Sequence, residues 1–224
     1  MEFELLGWPP DGPTLRLDYR RFSYAGKFVM TSTGKAVARN DADGWADRED
    51  VRDDGEDSES GRNDFEDRGD GREDLEGERD GRDGRRGEIV GAVAFNEDRT
   101  DEDALWLRYV TVARERRGEG IGPRLCAFVR DRAAARGYDR IRIAVNNPYA
   151  YEALYRAGFA YTGETTGIAE LVLEYEVGTA DDPPRDTAYR AGLREYRDRD
   201  LSEEERAFVD RHLEAGPPDP ERSR

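Results

Sequence analysis

The chain has one cysteine and one histidine among its 224 residues. A single cysteine excludes an internal disulfide and any cysteine-rich zinc site, and no metal ligand set is expected. Cys126 lies in a helix-like run beside Ala127 and Phe128, where it reads as a small buried hydrophobe. His212 falls near the end of a second helix-like run, a position that suits the helix dipole rather than catalysis. Lysine is scarce as well: Lys27 and Lys35 are the only two, so arginine supplies nearly all 36 basic residues. No apolar run approaches the roughly 20 residues that cross a bilayer. The opening "MEFELLGWPP" is acidic and broken early by proline, unlike a secretion signal. A cytoplasmic protein with no membrane partner is expected. No basic stripe marks a nucleic-acid surface, so no nucleic-acid partner is expected either.

Acidic residues are abundant, and unevenly so. The net charge is -16. Residues 40–88 carry 21 acidic and 9 basic residues, and 177–224 carry 13 and 9, whereas the remainder has 18 of each sign. The excess charge therefore sits outside the part that looks organised. This acid-rich, lysine-poor usage resembles proteins of salt-loving archaea, in which high salt screens the self-repulsion; GC-rich codon bias is another source of the arginine.

Segment 40–88 has almost no apolar residues and repeats Asp-Gly and Gly-Arg pairs. It cannot bury enough surface to offset its ordering entropy, so disorder is expected. "RGD" at Arg68–Asp70 is a chance product of those letters, and the Asp-Gly pairs lack calcium-loop spacing. Strand-like "GKAVAR" (Gly34–Arg39) and "IVGAVAF" (Ile89–Phe95) flank the segment, which reads as the expanded turn of a β-hairpin. Before it, "PTLRLDYRRF" reads as a strand leading into a helical or irregular stretch near Tyr24–Thr33. After it come a strand at Ala104–Val112, a helix from Ile121 to Arg136 and a strand at Arg140–Val145. A second helix has Asn147 as cap, Pro148 at its first position and Gly158 as terminator, and Ile168–Val177 closes the sheet. In the tail, Ser202 and Glu205 form a capping box ahead of Phe208, Val209 and Leu213. The expected fold class is α/β: a single domain (1–39 plus 89–176) with a mixed central sheet flanked by helices. An acidic disordered insertion (40–88) and a C-terminal helical extension (177–224) complete it. Docking on the domain and a partner surface are both open for that last helix.

Between the strand at Ala104–Val112 and the next helix stands "RRGEGIGPRL". A strand, a glycine-rich turn and a helix start make an anion site, because the helix offers unpaired N–H groups and a positive dipole end. A P-loop needs Gly-Lys followed by Ser or Thr, which is absent. A dinucleotide fingerprint needs G-x-G-x-x-G, whereas Gly118, Gly120 and Gly122 alternate as G-x-G-x-G. What remains is Arg117-x-x-Gly120-x-Gly122. On these residues the chain resembles the GNAT-type N-acetyltransferase superfamily, whose R/Q-x-x-G-x-G/A loop binds acetyl-CoA. The resemblance implies that the loop Arg117, Gly118, Glu119, Gly120, Ile121, Gly122 cradles the coenzyme A pyrophosphate, with glycine amides as donors. "NNPYAYEALYRAGF" resembles the family's N-x-x-A-x-x-L-Y-x-x-x-G-F segment through Asn147, Ala150, Leu154, Tyr155 and Phe159. By the same resemblance Asn147 contacts pantetheine and Tyr155 protonates the departing thiolate; the bland readings are a helix cap and a packed helix face. The strand end Tyr109, Val110, Thr111, Val112 is implied to splay from its neighbour and offer free amides to pantetheine.

The resemblance covers Thr14–Arg39 weakly and Ile89–Glu176 well. It implies acetyl transfer from acetyl-CoA to an unidentified amine acceptor by direct attack, in a monomer or homodimer. Many family members place a glutamate early on the strand before the loop; here Trp106 and Arg108 stand instead. Glu102, Asp103 and Glu170 are the nearest carboxylates. That gap keeps a non-catalytic acyl-CoA-binding module open as an alternative, and a protein that binds basic partners through its acidic insert as a second one.

Overall fold

The computed structural model describes residues 1–41, 87–178 and 185–218. The elements are β1 (Glu2–Gly7), β2 (Gly34–Arg39), β3 (Ile89–Glu97), β4 (Ala104–Val112), α1 (Ile121–Ala134), β5 (Arg140–Val145), α2 (Pro148–Arg156), β6 (Ala160–Thr165), β7 (Leu171–Glu176), α3 (Arg185–Arg197) and α4 (Glu203–Ala215). The seven strands form one sheet in the order β1-β2-β3-β4-β5-β7-β6. Only β4 and β5 run parallel; every other neighbouring pair is antiparallel. The mixed α/β sheet expected from the sequence is present.

β2 and β3 pair antiparallel up to Arg39 and Ile89, and the Asn40 N–H donates to the Glu88 carbonyl at 2.8 Å. The hairpin is therefore closed at the base of the acidic segment. Residues 42–86, with the disorder expected of them and the Arg68–Asp70 triplet, lie outside the described residues.

Two layers cover the sheet. Alternation along β5 sends Ile141, Ile143 and Val145 to one face, where they join Leu105, Leu107, Leu125 and Val129 in the main core beneath α1. On the other face Leu15 and Phe28 cover Val37, Ala92 and Ala94. That second cover corrects one expectation: "PTLRLDYRRF" is not a strand. β1 already occupies the edge beside β2, so Leu15 makes a single bond to the Phe28 carbonyl (3.1 Å) within an irregular loop. Buried Lys35 fastens this loop, its Nζ donating to the carbonyls of Met30 (2.5 Å) and Thr33 (2.9 Å) and to Thr33 Oγ1 (3.0 Å).

The tail docks on the domain. Tyr189, Leu193 and Tyr196 of α3 are fully buried, as is Val209 of α4. The Tyr151 hydroxyl donates to the carbonyls of Tyr189 (3.1 Å) and Ala188 (3.2 Å), and the Tyr196 hydroxyl donates to the Val145 carbonyl (3.1 Å). The capping box of α4 is formed: Ser202 Oγ accepts the Glu205 N–H (3.2 Å), and Glu205 Oε2 accepts the Ser202 N–H (3.0 Å).

Candidate active site

β4 carries a bulge. Ala94 stands opposite Tyr109 and Phe95 opposite Leu107, so Arg108 has no partner on β3. An extra residue bends the strand that holds it. Beyond it β4 leaves β5: their pairing runs from Ala104/Arg140 to Leu107/Ile143 and stops, although β4 continues to Val112 and β5 to Val145. A wedge opens between the two strands at the centre of the sheet.

Hydrogen-bond alternation determines which backbone groups face the wedge. The Ala113 N–H donates to the Val90 carbonyl of β3 at 2.9 Å. In an antiparallel ladder alternate residues point the same way, so Tyr109 and Thr111 turn their N–H and C=O groups to β3 as Ala113 does. Val110 and Val112 turn theirs into the wedge. Across it, the Val177 N–H bond to the Asp139 carbonyl (2.9 Å) puts Asp139 and the odd residues of β5 toward β7, which turns Ala144 toward β4. Of the four β4 residues singled out in the sequence, the main chains of two face the wedge.

After β4 the chain makes a single 3-10 turn at Arg114–Arg116 and enters the glycine loop. Gly118 (φ 84°) and Gly120 (φ 72°) hold left-handed conformations, and Gly120 caps α1 with no side chain on the helix end. Among the described residues no hydrogen-bond acceptor is paired with the N–H of Gly118, Glu119, Gly120, Ile121 or Gly122. Pro123 has no N–H, so the free donors are concentrated in those five residues. A Cβ at Gly122 would meet only the Val112 side chain, at 3.7 Å, which puts the loop beside the end of the wedge.

Arginines brace the loop. Arg116 Nε bonds Glu119 Oε1 (2.7 Å) and its Nη1 bonds Asn40 Oδ1 (3.2 Å). This guanidinium holds the Glu119 carboxyl below the usual range and offsets its charge beside the free amides. Arg117 Nη2 donates to Ser23 Oγ (2.9 Å). Arg21 bonds Glu115 Oε1 through Nε (2.7 Å) and bonds Glu88 as well. Loop, hairpin base and the irregular 13–33 segment are thus tied together.

Asn147 caps α2, its Oδ1 accepting the Ala150 N–H at 2.9 Å. Tyr155 is 1% exposed. Its ring packs against Tyr189 (4.6 Å) and Tyr151 (5.0 Å), and its hydroxyl accepts the Tyr161 N–H of β6 (2.9 Å). The motif count explains this placement. Aligned on Asn147, Ala150, Gly158 and Phe159, the tyrosine of N-x-x-A-x-x-L-Y-x-x-x-G-F falls at Leu154, and Tyr155 stands one residue (about 100° of helix rotation) further round. Of the carboxylates considered as a base, Glu102 and Asp103 are exposed just before β4, and Glu170 bonds the Thr166 hydroxyl across the β6–β7 turn. Cys126 is buried in the core, and burial pushes its thiol up to about 12, consistent with a packing role.

The features that sequence reasoning missed are the bulge at Arg108 and the contribution of Ala144. Neither has a local signature, because both depend on how β4 pairs with its neighbours.

The GNAT acetyltransferase family model matches residues 45–159, about half of the chain. No curated protein matches. Among solved structures, a nourseothricin acetyltransferase is 25% identical, over 40% of this chain and 59% of that one, with TM-score 0.37. A ribosomal-protein-alanine N-acetyltransferase from Brucella melitensis is 23% identical, over 42% and 65%, with TM-score 0.37. An N-acetyltransferase from Staphylococcus aureus is 18% identical, over 40% and 62%, also with TM-score 0.37. The chain thus spans about three fifths of the length of the solved structures it matches, and the low scores leave the assignment to the family model and the local geometry. On the match over 45–159, the chain belongs to the GNAT acetyltransferase family.

Proposed function

We propose that the protein is an N-acetyltransferase that moves the acetyl group of acetyl-CoA to a primary amine. The observation that carries this reading is the run of unpaired amides from Gly118 to Gly122, ending beside the β4–β5 wedge. Free N–H groups at a helix N-terminus suit a diphosphate. Val110, Val112 and Ala144 present backbone donors and acceptors to an extended amide-bearing arm, as a missing strand would. A thioester carried through the wedge meets its amine on the face of the sheet opposite α1.

Holding the two reactants together supplies much of the acceleration. The amine attacks as the neutral base, and the Val112 N–H is assigned to the carbonyl oxygen as it gains charge. Thiolate protonation is assigned to the Tyr155 hydroxyl. Asn147 is assigned to pantetheine contact through its Nδ2, since its Oδ1 is committed to the helix cap. Arg117 guards the mouth of the loop. No carboxylate stands at Trp106 or Arg108, so acceptors whose amines are neutral near physiological pH are favoured.

That same lack of a carboxylate supports a second reading, a non-catalytic acyl-CoA-binding module. Thermal unfolding with acetyl-CoA and with coenzyme A tests both against a protein that binds neither, because a ligand that binds only the folded protein raises the midpoint with the logarithm of its concentration relative to Kd. Thiol release across a panel of amines then separates the enzyme from the binder. Silence with every acceptor class, despite a thermal shift, selects the binder.

A further inference from the structure

Arg108 is a cation without an ion-pair partner among the described residues of an acidic protein. Among the described residues it makes no salt bridge, and its one side-chain hydrogen bond is from Nε to Asn96 Oδ1 at 2.5 Å. Its guanidinium lies over the Trp106 ring, 5.0 Å from the centroid, while Trp106 itself is fastened by its indole N–H to Asp98. The guanidinium is thereby oriented from below by an aromatic plane and at one edge by an amide, and among the described residues neither Nη group has a hydrogen-bond partner. The nearby charged groups are Asp98, which attracts it, and Arg99, which repels it. Asp98 accepts from Thr100 and Trp106 and makes no direct hydrogen bond or salt bridge to Arg108 among the described residues.

Position gives this receptor its meaning. Arg108 is the bulged residue, one step past the last β4–β5 pair and two before Val110, where the wedge begins. Leu105 and Leu107 face the core under α1, so Trp106 and the guanidinium stacked on it lie on the opposite face of the sheet. On the reading above, which this inference rests on, that is the face where the amine arrives.

We propose that Arg108 selects the acceptor, and that the acceptor is a primary amine carrying a carboxylate, an amino acid or the amino-terminal residue of an acidic peptide. The Nη groups take the carboxylate as a two-point fork, and Trp106 and Asn96 hold that fork ready. The α-amine of such a molecule has a pKa near 8 at a peptide terminus, against about 10.4 for a lysine side chain. A peptide-terminal acceptor therefore supplies neutral nucleophile without a glutamate at the β4 site, whereas a free amino acid, whose own carboxylate raises its amine pKa, does so at higher pH.

The test compares matched acceptors with acetyl-CoA: glycine against glycinamide, aspartyl-glycinamide against asparaginyl-glycinamide, glutamyl-glycinamide against glutaminyl-glycinamide. The acid of at least one pair should be preferred in kcat/KM, and Arg108→Gln should lower that preference about 10- to 100-fold, chiefly through KM. Arg108→Lys should recover part of it, since charge returns without the fork. Amides used as well as acids in every pair would overturn the proposal, and so would an equal loss on both members of a pair in Arg108→Gln. Calorimetric titration of the same six compounds into coenzyme A-loaded protein reads the carboxylate preference without turnover. A carboxylate preference there that Arg108→Gln abolishes supports the receptor even if no acetyl transfer occurs, a result that would sink only the enzyme reading. Equal binding of acids and amides would overturn the receptor.

Discussion

Gly122 faces Val112 across the end of the wedge, so that a Cβ on the glycine would touch the valine side chain at 3.7 Å and nothing else. This pairing joins two backbone devices, the free amides of the loop and those of the splayed strand. A single substitution can interfere with both while leaving the core alone.

Gly122→Asp should abolish the acetyl-CoA thermal shift without lowering the midpoint of the free protein. An acid in the first helical turn is favoured by about 0.3–1 kcal/mol, and glycine is a poor helix residue. The same carboxylate repels a diphosphate. A retained shift would reject the loop as the diphosphate site.

Tyr155→Phe separates chemistry from packing. Losing the hydroxyl leaves the Tyr161 N–H without its 2.9 Å partner, a stability loss of about 1–3 kcal/mol. A general acid adds to this a fall of about 10²-fold or more in turnover per folded molecule, with acetyl-CoA affinity kept. A lowered midpoint with normal turnover would assign the residue to the tyrosine cluster alone.

Gly192→Ala tests how tightly α3 is seated on α2. The new Cβ would fall 2.1 Å from the Tyr151 hydroxyl. Overpacking of this kind destabilises by about 1–3 kcal/mol, read from urea unfolding. Adding Tyr151→Phe removes the atom that is struck, so the double variant should lose less than the sum of the two singles.

Asp98 gives a pH signature. Its carboxyl is held down to about 2, first by the Thr100 N–H and then by the Trp106 and Thr100 side chains, against some burial. The folded value lies below the unfolded one of about 3.9, so the stabilisation is complete above that value and disappears as pH falls toward 2. The stability gap between wild type and Asp98→Asn should be constant from pH 7 to 5 and close below pH 4. A gap that widens on acidification would contradict the assignment.

Replacing residues 42–86 by Asp-Gly should preserve folding and acetyl-CoA binding, because Asn40 and Glu88 already bond across the base of the hairpin. Circular dichroism and the thermal shift check this. Loss of folding would show that the segment contributes more than length and charge.

Much of the architecture was legible residue by residue. β2, β4 and β5 have the bounds their apolar alternation predicts, and the caps at Asn147 and Ser202 are formed as their residue types require. The loop glycines were legible for the same reason: positive φ is a property of the residue itself. Where a segment's state depended on a distant partner, local reading failed. "EFELLG" became β1 because β2 offered it an edge, whereas "PTLRLDYRRF" found no edge left and stayed irregular. β6 was hidden by its polar Thr-Gly-Glu run and a register shift against β7. α3 was hidden by its charge, although Tyr189, Leu193 and Tyr196 mark one buried stripe.

By itself, then, the sequence determined the hairpin, the glycine turn, the two helix caps and the family, because propensity, capping and motif spacing act within a few residues. Only the tertiary structure decided that Arg108 bulges from β4, that Val110 and Val112 rather than Tyr109 and Thr111 face the wedge, and that the Tyr155 hydroxyl meets Tyr161. Those outcomes follow from strand register and helix rotation, where a shift of one residue reverses the direction of a group and no local pattern records the choice.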